Sequence, residues 1–231
     1  MPLNYQIKNL IVNFSKKENI KYFVETGTYL GKTSLWAKNI FNIIFTIEKS
    51  DKYFKKVKPL FEASNIVCIH GDSSTKLKNI LLEIDGSAIF WLDAHWSGED
   101  TSGYDYECPV IEEIKAINNW AGNGIILIDD ARLFLSTPCL PHNPLQWPSI
   151  SELIYELDNN KRFIVIIYDI IIAVPLQYKD MIINFCQKEN TLIWKTKLAY
   201  NDLSHIKKAL YHLKRYLLIK FYKNNLKYNF I

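Results

Sequence analysis

The sequence lacks the long apolar segments that mark membrane-spanning proteins. No apolar run in its 231 residues reaches the roughly 20 residues that a transmembrane helix needs. The N-terminal stretch MPLNYQIKNLIVNF carries polar residues within its apolar part, so we expect no secretory signal. We therefore expect a cytoplasmic protein, with any membrane contact confined to the membrane surface.

Cysteine is scarce as well. The four cysteines are Cys68, Cys108, Cys139 and Cys186. No two of them form a C-x-x-C pair, and their scatter does not suggest a disulfide framework. This usage is typical of a chain in a reducing compartment.

A complete phosphate-binding motif is also missing, although VETGTYLGKTS, residues 24–34, looks like one. A P-loop has four residues between its two glycines, whereas three separate Gly27 from Gly31. The dinucleotide pattern G-x-G-x-x-G fails too, because Tyr29 stands where its second glycine belongs. These mismatches disfavour a nucleotide-hydrolysing enzyme. The glycines still predict a tight strand-to-helix turn, which either approaches a ligand or only closes the turn.

Positive charge is concentrated at the C-terminal end. Residues 201–231 carry seven Lys or Arg and one Asp or Glu, a net charge of +6. The other 200 residues carry 21 Lys or Arg and 23 Asp or Glu, a net charge of −2. The main body is therefore not a basic nucleic-acid-binding domain, and we expect no nucleic-acid partner.

The C-terminal segment has the pattern of a basic amphipathic helix. Its apolar positions at helical spacing are Leu203, Ile206, Leu210, Leu213 and Leu217, and its basic positions are Lys207, Lys208, Lys214 and Arg215. One interpretation is that the helix docks on the body or on a second subunit of a homodimer. The other is peripheral contact with an anionic membrane. We favour docking, because aromatic residues widen the apolar surface.

Apolar runs of strand type alternate with helical patterns along most of the chain. Five strand–helix units are followed by two strands at 162–175 that turn near Tyr168 and Asp169. The alternation predicts a three-layer, Rossmann-like α/β fold, with a mostly parallel sheet that ends in an antiparallel hairpin. The expected parts are an N-terminal helical segment at 1–19, the α/β domain at 20–178 and a basic amphipathic extension at 179–231.

Each of the five predicted strands ends in an acid. These are Glu25, Glu48, Asp72, Asp93 and the Asp129-Asp130 pair. Ligands of such sheets bind outside the carboxyl ends of the strands, so these acids should meet at one rim. Crowded carboxylates repel one another, so a cation or hydrogen-bond donors must neutralise them.

Two of these acids suit a nucleoside. Glu48 is placed to accept hydrogen bonds from two ribose hydroxyls, as acids at this position do in dinucleotide folds; it could also be a capping or surface acid. Asp72 could accept from an adenine amine, or it could cap the helix that follows it.

Three of them suit a metal. Asp93, Asp129 and Asp130 follow two strands that should be neighbours, and oxygen ligands favour Mg²⁺, Mn²⁺ or Ca²⁺ over zinc. A dication there would hold a hydroxyl and lower its pKa. The alternative is that the Asp-Asp pair forms a turn or helix cap.

His95 lies two residues past Asp93 and is a candidate general base; it could instead be a loop residue with a single hydrogen bond. The polar segment 96–108 is long enough to cover the site as a lid. A zinc site could also be assembled from His95, Cys108, Cys139 and His142.

Together the stretches VETGTYLGKTS, FTIEKS, IHGDSS, FWLDAHWSGED and IILIDDAR resemble class I S-adenosylmethionine-dependent methyltransferases over about residues 20–175. Within that superfamily they are similar to metal-dependent O-methyltransferases of the catechol type and the macrocin sugar type. The segment LDAHWSGEDT, with the CP and EEI that follow, also looks like methyltransferases associated with surface-polysaccharide synthesis.

The resemblance implies S-adenosylmethionine (SAM) and a divalent cation as cofactors. It implies a cofactor-binding set of Glu25, Thr26, Gly27, Tyr29, Thr33, Glu48, Asp72, Ser73 and Asp93, and it makes Asp93, Asp129 and Asp130 the metal ligands. Trp96 stands where the catechol type has its catalytic lysine, so His95, with Asp93, takes the catalytic role here. A carboxylate at Glu25 would repel phosphates but pair with the ammonium group of SAM.

The predicted function is metal-assisted O-methylation of a sugar or small polyhydroxyl acceptor, in surface-polysaccharide synthesis. The alternative is a methyltransferase-like module that binds or assembles at a membrane surface without catalysis. Whether SAM binds at all would discriminate between the two.

Overall fold

The computed structural model describes residues 3–98, 101–159, 161–201, 204, 207–208 and 210–217. Within these residues seven strands form one sheet. The strands are β1 (Tyr22–Thr26), β2 (Ile43–Glu48), β3 (Ile66–His70), β4 (Ser87–Leu92), β5 (Asn123–Ile128), β6 (Arg162–Ile167) and β7 (Ile170–Pro175).

The strand order in the sheet is β3-β2-β1-β4-β5-β7-β6. All pairs from β3 to β5 are parallel, whereas β7 runs antiparallel to both β5 and β6. Tyr168 and Asp169 form the two-residue turn of the last hairpin at φ of 56° and 64°, the left-handed pair that matches strand twist. The predicted mostly parallel sheet with a final antiparallel hairpin is confirmed.

Helices follow most strands. They are α1 (Tyr5–Glu18), α2 (Lys32–Ala37), α3 (Asp51–Val57), α4 (Ser73–Leu82), α5 (Val110–Asn118), α6 (Arg132–Leu135), α7 (Ile150–Asp158) and α8 (Lys179–Asn201). Short polar side chains set where several of them begin. For example, α7 opens with a capping box, in which Ser149 Oγ accepts from the amide of Glu152 at 3.2 Å and the Glu152 carboxylate accepts from the amide of Ser149 at 2.7 Å.

Strand alternation divides the apolar core between the two faces of the sheet. On one face, Val24 and Phe90 join a buried cluster with residues of α4, α5 and α7, such as Leu77. On the other face, Phe23 packs against Trp36 of α2, with ring centroids 6.4 Å apart. Both faces of the sheet are therefore covered, as the apolar strands predict.

The chain direction across the sheet reverses beside β1. The chain passes from β1 outward to β2 and β3, and it then returns to β4 on the other side of β1. Thr26 and Leu92 are register partners at the ends of β1 and β4. This is the switch point of the sheet, where the loops after neighbouring strands diverge and leave a crevice.

The chain divides into two compact units, residues 1–180 and 181–231. The sheet lies in the first unit, and the described part of the second contains most of α8 and the helical residues 210–217. Leu203 and Ile206 of the predicted amphipathic helix lie outside the described residues. Among the described residues, no helix combines the length and apolarity needed to cross a membrane.

Candidate active site

A cavity of about 580 Å³ opens at the carboxyl ends of β1 to β5. Eight of the predicted site residues line it: Gly27, Tyr29, Glu48, Asp72, Ser73, Asp93, His95 and Asp130. These residues are spread over more than a hundred positions of the chain, and the parallel strands bring them to one rim. The other predicted residues, Glu25, Thr26, Thr33 and Asp129, lie outside the lining.

Gly27 allows the loop after β1 to pass close to the end of β4. It has a φ of +85°, and a Cβ atom at this position would lie 2.2 Å from the carbonyl oxygen of Asp93. Gly31 begins α2 at a φ of +71°, where a Cβ atom would lie 2.7 Å from the ring of Phe61. At both positions a side chain would be disfavoured by the positive φ and would clash with a neighbouring group. The close approach at Gly27 lets the main chain form one wall of the cavity.

Glu48 is held at the cavity wall by two backbone amides. Its Oε2 accepts from the amide of Tyr29 at 2.7 Å, and its Oε1 accepts from the amide of Ser50 at 2.7 Å. Burial raises the pKa of Glu48, although both amide hydrogen bonds oppose that shift. A carboxylate oxygen can accept more than one hydrogen bond, so the group keeps capacity for the two ribose hydroxyls that the sequence predicts.

Glu25 points away from the cavity. It is 2% exposed, and its Oε2 accepts from Ser34 Oγ at 2.5 Å and from Thr46 Oγ1 at 2.7 Å. Burial raises its pKa to about 7. Strand alternation explains the placement, because Glu25 falls on the face of β1 that α2 covers. The predicted contact of Glu25 with the ammonium group of SAM is therefore not available in this arrangement.

The neighbouring predicted residues Thr26 and Thr33 have internal partners as well. Thr26 is fully buried, and its Oγ1 and carbonyl oxygen lie 3.3 and 3.0 Å from the amide of Asp93. Thr33, in α2, is hydrogen-bonded to Glu25. Neither threonine lines the cavity.

Asp72 caps α4, the second of the two interpretations that the sequence leaves open. Its Oδ1 accepts from the amide of Ser74 at 3.0 Å, and its Oδ2 pairs with Lys49 Nζ at 2.8 Å. These contacts lower its pKa against the opposing effect of burial. Asp72 and Ser73 still line the cavity, so their predicted contact with the cofactor remains a prediction.

His95 lies between two carboxylates at the other end of the cavity. Its Nε2 is 3.0 Å from Oδ2 of Asp130, and its Nδ1 is 3.8 Å from Oδ1 of Asp93. The ring packs against Trp147 with centroids 5.5 Å apart. Burial lowers the pKa of His95, but the hydrogen bond to Asp130 and the charges of Asp93 and Asp130 outweigh it, and the pKa is raised overall.

The three aspartates at this rim have different electrostatic environments. Burial raises the pKa of Asp93, against the effect of His95 and in the same direction as the charge of Asp129. Burial raises the pKa of Asp129 as well. Burial would also raise that of Asp130, but hydrogen bonds from His95 and Arg132 overcome it and lower the pKa to about 2. Asp130 is therefore the carboxylate of the three that ionises most readily.

The predicted dication does not fit this arrangement. Asp130 has both carboxylate oxygens engaged, Oδ2 by His95 at 3.0 Å and Oδ1 by Arg132 Nη1 at 2.6 Å. In the part of the chain that the structure describes, no group of three or more His, Cys, Asp or Glu side chains could hold a metal ion. The partners that stabilise the crowded carboxylates are here a histidine and an arginine.

The zinc alternative fails by the same criterion. His142 donates through Nδ1 to Glu107 at 3.0 Å, and Cys139 is exposed whereas Cys108 is buried.

Arg132 and Glu107 are not among the site residues predicted from the sequence. Arg132 begins α6 and bridges Asp130 to Asp169 of the last hairpin turn. The feature of the sequence that could have identified Arg132 is its position two residues after Asp130. Glu107 is 1% exposed and bonds to residues 142, 143 and 147, far away in the chain. No local pattern marks such a residue.

Neither a protein-family model nor a curated protein sequence matches this chain. A Staphylococcus aureus protein assigned as a caffeoyl-CoA O-methyltransferase matches with a TM-score of 0.53 and 12% identity, over 75% of this chain and 85% of that one. A Klebsiella pneumoniae protein assigned as an O-methyltransferase matches with a TM-score of 0.52 and 8% identity, over 74% of this chain and 80% of that one. An O-methyltransferase from Bacillus cereus, solved in complex with SAH (S-adenosylhomocysteine), matches with a TM-score of 0.51 and 13% identity, over 75% of this chain and 82% of that one. The chain therefore has a Rossmann-like methyltransferase fold.

Proposed function

We propose that this chain is a SAM-dependent O-methyltransferase that acts on a small polyhydroxyl acceptor. The observation that carries the proposal is the cavity of about 580 Å³, which joins the Gly27–Glu48 wall to His95. The same cavity thus contains residues suited to bind a nucleoside, Gly27 and Glu48, and a side chain suited to accept a proton, His95. A structure of the same fold was solved in complex with SAH, S-adenosylhomocysteine, which supports the assignment of the nucleoside end.

The residues at the nucleoside end fit SAM. Glu48 offers a fixed carboxylate, and Gly27 brings the loop after β1 against the backbone of Asp93, so that both line the cavity. Lys49 and Tyr53 extend the wall beyond Glu48. When bound, SAM supplies an electrophilic methyl group on its sulfonium. The chain's part is to hold the acceptor hydroxyl in line with that methyl group and to remove its proton.

His95 is the proton acceptor in this proposal. Asp130 accepts from Nε2–H, which leaves Nδ1 on the side of Asp93 as the basic atom. The carboxylate of Asp130 holds the ring and stabilises the imidazolium that forms, as the acid of a catalytic triad does.

The acceptor end of the cavity suits a polyhydroxyl compound without negative charge. Ser97, Thr101, Ser102 and Tyr106 line the cavity there and can exchange hydrogen bonds with acceptor hydroxyls. Asp93 and Asp130 line the same end, and they would repel a phosphate or carboxylate. A sugar fits these requirements, and the sequence resemblance supports a role in surface-polysaccharide synthesis as part of this proposal.

No catalytic step in the proposed reaction uses a dication. A dication bound to the three aspartates would compete with His95 and Arg132 for the oxygens of Asp130. The test is methyl transfer by enzyme treated with excess EDTA, then assayed with and without added Mg²⁺ or Mn²⁺. Activity that persists in EDTA supports the His95–Asp130 arrangement, and activity restored only by the metal supports the metal-assisted form.

The proposed function is tested in two steps. Calorimetry first measures binding of SAM and SAH to the wild type, with ATP as the comparison ligand. Transfer of labelled methyl from SAM is then measured to a panel of neutral, amino-bearing and phosphorylated sugars. Tighter binding of ATP than of SAM would contradict the proposal. Tight SAM binding with no transfer to any acceptor would favour the alternative, a non-catalytic binding module.

We also propose that the basic C-terminal segment is an attachment element, either for a second subunit or for an anionic membrane. The support is its charge, a net +6 over residues 201–231. A truncation after Asn201, studied by ultracentrifugation and by co-sedimentation with anionic vesicles, separates the two forms. Unchanged oligomeric state and unchanged vesicle binding would refute both.

A further inference from the structure

Glu107 joins two irregular segments that are far apart in the chain. One is the segment between β4 and α5, which contains Glu107 itself, and the other is the segment between α6 and α7. The Glu107 carboxylate accepts from Trp147 Nε1 at 2.7 Å, from His142 Nδ1 at 3.0 Å and from the amide of Asn143 at 2.8 Å. Its own amide donates to Gln146 Oε1 at 2.8 Å. A buried carboxylate with several donors is a strong anchor, because losing any one acceptor leaves a donor unsatisfied.

The anchored tryptophan reaches the active site. The Trp147 ring packs against His95, with centroids 5.5 Å apart and a tilt of 57°. Its other neighbours are Phe134 and His142, at 5.5 and 5.1 Å. Trp147 is 8% exposed, so it has little freedom to move while Glu107 holds its Nε1. His95 is therefore supported on one side by Asp130 and on another by a ring that Glu107 fixes.

Glu107 also acts on the segment that carries His95. Its carbonyl oxygen accepts from the amide of Trp96 at 2.7 Å. Trp96 directly follows His95, and its ring contacts His142 with centroids 5.3 Å apart. The same residue thus fixes the backbone next to His95 and the ring beside it.

We propose that Glu107 is the positioning residue for His95, acting through Trp147 and the Trp96 backbone. Glu107 does not line the cavity. Its role is to hold the imidazole where Nε2 donates to Asp130 and Nδ1 remains the basic atom. The inference rests on the proposed function only in calling His95 the base, because the contacts themselves exist without any ligand.

The decisive variant is Glu107→Gln, which keeps the size of the side chain. All three of its carboxylate partners are donors, so the amide NH₂ of glutamine must face at least one of them. Trp147→Phe is the second variant, because it keeps an aromatic ring at this position and removes the Nε1 donor together with part of the indole. Glu83→Gln is the matched control, since Glu83 is an exposed glutamate at the end of α4.

The primary measurement is the ¹⁵N shift of the two His95 ring nitrogens in the ligand-free protein, assigned with His95→Gln, at a pH where the imidazole is neutral. We expect the wild type and Glu83→Gln to show a strong preference for the Nε2–H tautomer. Glu107→Gln and Trp147→Phe should lose much of that preference, and the double variant should lose little more than either single one. Ring-current changes cannot explain such a result, because they alter the ¹⁵N shift far less than a change of tautomer does.

Two further measurements separate positioning from general destabilisation. SAH affinity should stay within about threefold of the wild type in both variants, whereas methyl transfer should fall by about tenfold or more. An unchanged His95 tautomer in both variants would overturn the proposal, and so would a loss of SAH affinity as large as the loss of turnover. If Glu107→Gln does not fold, Trp147→Phe decides by the same criteria. Failure of the wild type to bind SAH refutes the proposed function alone, since the tautomer comparison needs no ligand.

Discussion

The Nε2 atom of His95 lies 3.0 Å from Oδ2 of Asp130, although 35 positions separate the two residues in the chain. They meet because β4 and β5 are adjacent and parallel, so the segments after both strands leave the sheet at the same rim. The pairing gives Asp130 a different task from the one predicted for it. It orients a histidine and accepts from Arg132, whose positive charge offsets the negative charge of the Asp130 carboxylate.

Glu48→Ala should weaken SAH binding by about 1.5 to 3 kcal/mol, or roughly 10- to 150-fold, the scale of hydrogen bonds to a charged group. The physical reason is the loss of a carboxylate that two amides hold at the cavity wall. Calorimetry of the variant against Glu83→Ala, an exposed glutamate, makes the comparison. Equal affinity in the two variants would remove Glu48 from the cofactor site.

His95→Gln should lower methyl transfer by about 10²- to 10⁴-fold, the usual contribution of a general base, and leave SAH binding within a few-fold. In the wild type, activity should rise with pH as the imidazole loses its proton. The apparent pKa should lie above the ordinary histidine value of 6.5, because the carboxylates around His95 favour its charged form. His70→Gln, which changes a histidine outside the cavity lining, is the control. A rate that is independent of pH, or equal in both variants, would argue against this role.

Gly27→Ala should destabilise the fold by at least about 2 kcal/mol more than Gly86→Ala, which corresponds to roughly 4 to 8 °C in Tm. Both glycines have positive φ, +85° and +96°, so both variants are strained. Only at Gly27 would the new Cβ atom meet the Asp93 carbonyl, at 2.2 Å, whereas nothing lies within 4 Å at Gly86. Thermal melts of the two variants isolate the steric effect. Similar losses would mean that the loop can move away from β4.

Glu25→Gln should make the protein more stable at pH 8 and flatten the dependence of its stability on pH. Burial raises the pKa of Glu25 from 4.5 to about 7, so the folded state binds a proton that the unfolded state has lost between these values. The free energy of unfolding of the wild type therefore falls as pH rises through that window. The gain in the variant should be of order 1 to 3 kcal/mol, since glutamine can still accept from Ser34 and Thr46.

Urea denaturation at pH 4.5, 6 and 8 measures this effect, with Glu83→Gln as the control. Glu113 has a pKa raised to about 7 for the same reason, so part of the pH dependence should remain in Glu25→Gln. A variant that is less stable than the wild type at pH 8 would show that the hydrogen bonds of the ionised carboxylate outweigh its desolvation.

The architecture was predictable because its signals are local. Apolar periodicity, the turn at Tyr168 and Asp169 and the alternation of strands with helices each depend on a few neighbouring residues. They were enough to predict the parallel sheet, the final hairpin and the rim where Glu48, Asp93 and His95 meet. Gly27 was also identified as a turn glycine, although its steric partner, the carbonyl of Asp93, was not.

Within that rim, the direction and partner of each side chain came from the tertiary structure. Glu25 and Thr26 are neighbours at a strand end, yet one turns toward α2 and the other to the opposite face, because adjacent strand residues alternate. Asp130 was predicted as a metal ligand from its place after a strand end and from the family resemblance, but its two carboxylate oxygens are bonded to His95 and Arg132. Glu107 had no sequence signal, since all its carboxylate partners lie 35 or more positions away.

The sequence by itself therefore determined which residues arrive at the rim, because strand ends are encoded by local hydrophobic patterns. Only the tertiary structure decided which of them face the cavity and which charges neutralise one another. Those outcomes depend on contacts between distant segments, and a carboxylate's role is set by the donor that folding places beside it.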